Sequence, residues 1–169
     1  MKMNNKGQGA MEYLMTYGWA ILVVMIVGVV LWQLGVFNVG QGTVVPKDWN
    51  KLQPLVPTVA FQSSTDNFTA SFNNVVGTSI RITGIATTES YGAENCTGYV
   101  DGKDQAGLTT APETVGPGSS FQVNAVCSGT GVKNSGDQYL MTITVDYDAV
   151  VGGISTSHSE TGTIRGNAE

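Results

Sequence analysis

The spacing of apolar residues changes period once along this chain. Gly18 to Phe37 gives twenty residues, GWAILVVMIVGVVLWQLGVF, with no charge and one amide, Gln33. At about 1.5 Å per residue, a helix of that length spans roughly 30 Å, the thickness of a bilayer core. The segment is apolar on every side, so it predicts a helix surrounded by lipid or by other apolar helices. From about residue 55 the pattern alternates. Phe68, Ala70 and Phe72 alternate with Thr69, Ser71 and Asn73, and Ile80 and Ile82 with Arg81 and Thr83. Phe121, Val123 and Ala125 alternate with Gln122, Asn124 and Val126. Leu140 to Tyr147 (LMTITVDY) is rich in strand formers, and Ile154 to Arg165 is rich in Ser and Thr. Short runs of this kind, separated by Gly, Pro, Asn and Ser, predict an antiparallel β-sandwich. The expected fold class is α+β: a long N-terminal hydrophobic helix followed by an all-β head.

Residues 38–57 read as a connector. Asn38-Val39-Gly40-Gln41-Gly42 ends the helix with Gly-rich turn chemistry, and Pro46, Pro54 and Pro57 discourage any helix after it. The polar stretch from Lys47 to Lys51 is expected to pack where the helix meets the head.

Composition narrows the function. Of 169 residues only 12% are charged, about half the usual share for a soluble domain. The net charge of −5 argues against nucleic acid as a partner and against a polybasic membrane patch. One His and two Cys leave little material for a metal site or a catalytic triad. Lys2 and Lys6 precede the apolar span, and the first charges after it are Lys47 and Asp48. That asymmetry keeps the N-terminus in the cytoplasm and sends the rest of the chain across the membrane. Trp19 and Trp32 are spaced to sit near opposite interfaces. A cleaved secretory signal fits poorly, because its apolar region is about 7–15 residues and ends at an A-x-A site. An uncleaved single-pass anchor satisfies the same physics.

One feature exceeds what an anchor needs. Lys6-Gly7-Gln8-Gly9-Ala10-Met11-Glu12-Tyr13-Leu14 stands directly before the apolar run. Drawing the Glu12 carboxylate into hydrocarbon costs roughly 2–3 kcal/mol or more. On general grounds Glu12 reads as a first-turn acid favoured by the helix dipole. The order of residues also resembles the class III signal peptide of archaeal type IV pilins and archaellins. That resemblance covers residues 1 to about 37. It implies a leader over residues 1–7, a cut between Gly7 and Gln8 and a membrane and filament-core helix over 8–37, to which the residue pattern adds a linker over 38–57 and a β-sandwich head over 58–169. Lys6 then belongs to the processing signal, and Glu12 becomes the fifth mature residue. The resemblance also implies an immunoglobulin-like form for the sandwich. Its implied partners are further copies of the chain, a prepilin peptidase, an assembly ATPase and a membrane platform protein. Loss of Lys2 and Lys6 would take the net charge from −5 to −7. It would leave a new α-amine on Gln8, which Glu12 of a neighbouring subunit can pair with in the filament core. Peptidase recognition or assembly is the alternative role for Glu12.

Outside that region the candidate chemistry is sparse. Cys96 and Cys127 are an even pair in an exported segment, so a disulfide is expected, tying the loop around residues 94–99 to the end of the strand at 121–126. Asn67-Phe68-Thr69 and Asn95-Cys96-Thr97 match the N-glycosylation pattern. With eleven Asn in the chain, chance alone supplies about two such matches. His158 lies in the polar run STSHSE and reads as a surface residue. Asp146 and Asp148 point the same way from one strand, but two carboxylates are too few to predict a cation site. The turn-rich segments at residues 116–120 and 131–136 read as solvated hairpin loops or contact loops. No catalytic residue, cofactor or metal is expected. The expectation is a structural filament subunit rather than an enzyme. The alternatives are a membrane-anchored extracellular binding protein and an archaellin of a swimming filament.

Overall fold

A computed structural model describes residues 6–33, 44–91, 95–128 and 134–169. The chain divides into two compact units, Met1–Gly40 and Gln41–Glu169. The first contains a single helix, α1 (Lys6–Gln33). It starts earlier than the apolar run because nothing from Lys6 to Tyr17 breaks a helix except two glycines. Residues 34–37, the end of the expected span, lie outside the described residues.

The second unit is mostly antiparallel sheet. Its strands are β1 (Val45–Lys47), β2 (Leu52–Pro54), β3 (Ala60–Gln62), β4 (Asn67–Asn74) and β5 (Ser79–Glu89), then β6 (Asn95–Val100), β7 (Glu113–Val115), β8 (Ser120–Ser128), β9 (Gln138–Val151) and β10 (Ile154–Asn167). A 3-10 turn (Val56–Thr58) precedes β3, and a short helix, α2 (Gln105–Thr110), follows β6. Part of the stretch read as a connector is therefore strand. Its prolines are compatible with that role because β1 and β2 are outer strands, where a missing N–H is tolerated.

The strands make one hydrogen-bonded sheet in the order β1-β10-β9-β5-β6-β8-β4-β2, with β3 also on β4 and β7 also on β5. The sheet curls so that its two end strands come near each other. β1 and β2 are its first and last strands, yet only residues 48–51 separate them in the chain. So short a link spans at most about 17 Å. A second tie lies at the C-terminus, where Glu169 N–H donates to the Phe61 carbonyl (2.8 Å) and Ser63 N–H to the Glu169 carbonyl (2.9 Å). The head is thus close to a barrel.

The alternation read from the sequence sets the core. Phe68, Ala70 and Phe72 face Phe121, Val123 and Ala125 across the β4–β8 pair, all of them buried. Tyr139, Met141, Ile143, Val145 and Tyr147 of β9 line the same interior. In β5 the alternation changes phase. Ile80 and Ile82 are buried, a bulge falls between Ile82 and Gly84, and after it Ile85, Thr87 and Glu89 are buried instead. The bulge turns Glu89 inward, where its carboxylate accepts the N–H groups of Tyr91 (3.0 Å) and Leu140 (3.2 Å). β9 and β10 are joined by Gly152-Gly153, with φ of 58° and 85°. Both values are positive, as a two-residue hairpin turn twisted with its strands requires.

Burial, and then the Glu169 carboxylate, push the Tyr139 phenol up to about 12. Burial and then Glu160 raise Tyr147 as well. An unfolded Tyr loses its proton near pH 10. Above that pH the unfolded chain holds fewer protons than the folded one. Stability is therefore expected to fall as pH rises from about 10 to about 12. Urea midpoints measured across that range test this, and Tyr139→Phe is expected to flatten the decline.

Candidate functional site

The expected processing and assembly residues all fall in α1. Lys6, Gly7 and Gln8 occupy its first turn. Glu12 is the seventh residue of the helix, so it lies past the first turn. This corrects the dipole reading, because the dipole acts on charges within the first turn. Glu12 is exposed, and its carbonyl accepts the Thr16 hydroxyl (2.9 Å). The next residue, Tyr13, stacks on Tyr17 one turn further on, with ring centres 4.6 Å apart.

Beyond them the helix is apolar without a preferred face. Ile21, Leu22, Val23, Val24, Met25 and Ile26 are consecutive and all exposed, from 40% to 71%. At about 100° per residue, six consecutive positions cover the whole circumference. Residues Met11–Leu31 are long and apolar enough to cross a membrane. The chemistry this surface offers is burial: among the described residues of its unit nothing covers it, and it gains free energy from lipid or from other apolar helices.

In the head the structure confirms the disulfide between Cys96 and Cys127. The two residues are direct partners on β6 and β8, with Cα atoms 4.0 Å apart. The bond falls at the end of β8 as expected, but its other side is a strand and not a loop, because residues 95–100 are extended and bonded to β8. Asn67 begins β4, with its side-chain oxygen buried and without a hydrogen-bond partner. Asn95 begins β6, opposite Ser128. Val126 of β8 is partnered by Asn67 on one side and Thr97 on the other. The two glycosylation patterns, far apart in sequence, thus flank the same end of β8.

His158 is exposed, stacks on Tyr147 with ring centres 5.5 Å apart and bonds Thr156 (3.1 Å). Ser157 donates to the Asp148 carboxylate (2.6 Å). Adjacent residues of a strand point to opposite faces, so Ser157 and His158 do not converge. Among the described residues no group of three or more His, Cys, Asp or Glu side chains could hold a metal. An open cleft of about 520 Å³ lies between β5, β6 and α2. Its polar groups already serve one another: Gln105 accepts the Ile85 N–H (2.7 Å), Thr87 donates to the Cys96 carbonyl (3.1 Å), and Asp104 caps α2 at Gly107 (2.8 Å).

A cluster that the alternation did not reveal ties β10 to the start of β2. The Glu160 carboxylate of β10 accepts the N–H groups of Asn50 (2.5 Å), Lys51 (2.9 Å) and Leu52 (3.1 Å). Trp49 lies over Gly162, where an added Cβ would come within 2.3 Å of the indole. Its ring centre is 4.7 Å from that of Phe72. The sequence did hold one sign of this arrangement. Glu160 shares the parity of Ile164, so a strand there turns the acid inward with it.

Comparison of the chain with protein-family models, with curated proteins and with solved structures finds no match.

Proposed function

We propose that this protein is a structural subunit of an archaeal type IV pilus-like surface filament. In this reading it is made as a precursor and cut by a prepilin peptidase between Gly7 and Gln8. The carrying observation is the order Lys6-Gly7-Gln8 and Glu12 at the start of a helix whose apolar side chains from Ile21 to Val30 are exposed all round. Such a helix first resides in the membrane and then exchanges lipid for the helices of neighbouring copies. An assembly ATPase and a platform protein drive that transfer, and the head forms the outer surface, serving attachment. We read the head as an immunoglobulin-like variant. What favours this is that β5 and β6 share a single register pair, Thr87 with Cys96, where two antiparallel halves join.

Mass spectrometry of the N-terminal peptide from native cells tests the reading. A peptide beginning at Gln8 is expected. An N-terminus at or near Met1 leaves a single-pass anchored surface protein, and a start beyond Phe37 leaves a secreted domain. Glu12→Ala is expected to abolish filaments seen by electron microscopy while leaving the head folded. A simple anchor would tolerate that change.

A further inference from the structure

Two stretches of the N-terminal segment compete to fill a membrane. Met11–Leu31 is long and apolar enough to span one, and so is the charge-free run Gly18 to Phe37. A bilayer core holds about 20 helical residues, so the two registers exclude each other. They differ in what they draw into hydrocarbon. The first takes in Glu12, Tyr13, Thr16 and Tyr17, and the second a single amide, Gln33. The carboxylate is the costliest of these groups there, because hydrocarbon cannot solvate its charge. The structure adds an aromatic collar where the two stretches part. Tyr13 and Tyr17 stack one turn apart and stand 66% and 54% exposed, and Trp19 is 69% exposed. Such rings have an apolar body and a polar tip, which suits the headgroup layer better than water or hydrocarbon. Helical side chains lean toward the N-terminus of their helix. The three rings therefore reach back out of the apolar run, and Trp19, its second residue, still meets the boundary.

We propose that Tyr13, Tyr17 and Trp19 seat α1 in the lipid headgroup layer, so that hydrocarbon begins at Gly18 and Glu12 stays outside it. Glu12 precedes Gly18 by six residues, about 9 Å of helix, which puts it at the outer limit of a headgroup layer roughly 5–8 Å thick. The Gly7–Gln8 bond stands about 15 Å out, in water. Glu12 thus keeps a hydrated charge for as long as the protein is held in a membrane. In the filament reading, the cost of burying that charge then falls on assembly and not on insertion. The register itself applies equally to a simple anchor, so it does not rest on the filament reading.

Single-cysteine labelling of the full-length chain tests the register, in nanodiscs of phosphatidylcholine and phosphatidylglycerol. Both native cysteines are bonded, so each introduced cysteine is the one free thiol. At about 100° per residue, positions 11, 15 and 22 lie within roughly 40° of one another around α1, so they differ in depth and not in face. Only a hydrated thiol ionises readily and reacts with a charged, water-soluble maleimide. Met15→Cys is expected to label about ten times faster than Leu22→Cys and within about threefold of Met11→Cys. Adding Tyr13→Leu/Tyr17→Leu is expected to let the helix sink and to slow Met15→Cys about tenfold, whereas Tyr13→Trp/Tyr17→Trp leaves its rate unchanged. Circular dichroism checks that the head stays folded in each variant. Equally slow labelling at positions 15 and 22 would put the hydrocarbon boundary at Met11 and overturn the proposal. Equally fast labelling at both would overturn it as well, since α1 would then have no buried span. So would a Met15→Cys rate indifferent to the loss of both tyrosines. A mature N-terminus at Met1 would sink the filament reading and leave this register standing.

Discussion

Glu160→Ala is expected to lower the unfolding free energy of the head by about 4 kcal/mol. The side chain is 9% exposed and satisfies three backbone N–H groups at the start of β2. Removing it leaves those donors without an acceptor, at about 1–3 kcal/mol each where water does not reach them. Residues 48–51 then lose their hold on β10, and β2 separates from the far side of the barrel. Glu160→Gln keeps one carbonyl oxygen and is expected to cost about half as much. Urea unfolding followed by fluorescence in a Trp19→Phe/Trp32→Phe background, which leaves Trp49 as the one tryptophan, reads both variants. Trp49 sits on Gly162 beside the clasp and donates to the Thr163 carbonyl (3.4 Å), so its emission reports local release as well as global unfolding. Equal midpoints for wild type and Glu160→Ala would refute closure through this carboxylate.

Loss of the disulfide is expected to cost about 3–4 kcal/mol, from a closed loop of 31 residues. Most of that comes from freeing the unfolded chain. The local consequence is at β6, which bonds β8 along six residues but meets β5 at one register pair. Without the bond, β6 is expected to open before the β4–β8 and β9–β10 pairs. The double variant Cys96→Ala/Cys127→Ala avoids new thiols. Hydrogen exchange should rise first over residues 95–100, while β9 and β10 keep their protection. Uniform loss of protection across the head would instead show that β6 unfolds only with the whole barrel.

Much of the core was legible as parity. Phe68, Phe72, Phe121 and Val123 are buried because a pleated strand sends alternate residues to one face, and that rule needs no tertiary knowledge. The rule failed where the backbone departs from it. The bulge before Gly84 reverses the parity of β5, and the alternation seen at Ile80 and Ile82 therefore did not extend to Ile85. Glu89 and Glu160 escaped notice for a related reason. An acid in a strand reads as solvent-facing until the backbone N–H groups that compensate its burial are in place; for Glu160 all of these, and for Glu89 that of Leu140, come from segments distant in sequence.

The sequence by itself determined the apolar α1, the strand character of the head and the pairing of the two cysteines. These follow from local periodicity and from counting, which a chain carries whatever its final shape. Only the tertiary structure decided that the strands form one curled sheet, and that the two Asn-X-Thr patterns meet at one end of β8. It also decided that β1 pairs with β10 only at Thr163, Ile164 and Arg165. Each of these depends on which strands become neighbours. Neighbours are selected by long-range backbone hydrogen bonds, which are chemically alike at every residue except proline and so leave almost no trace in the sequence.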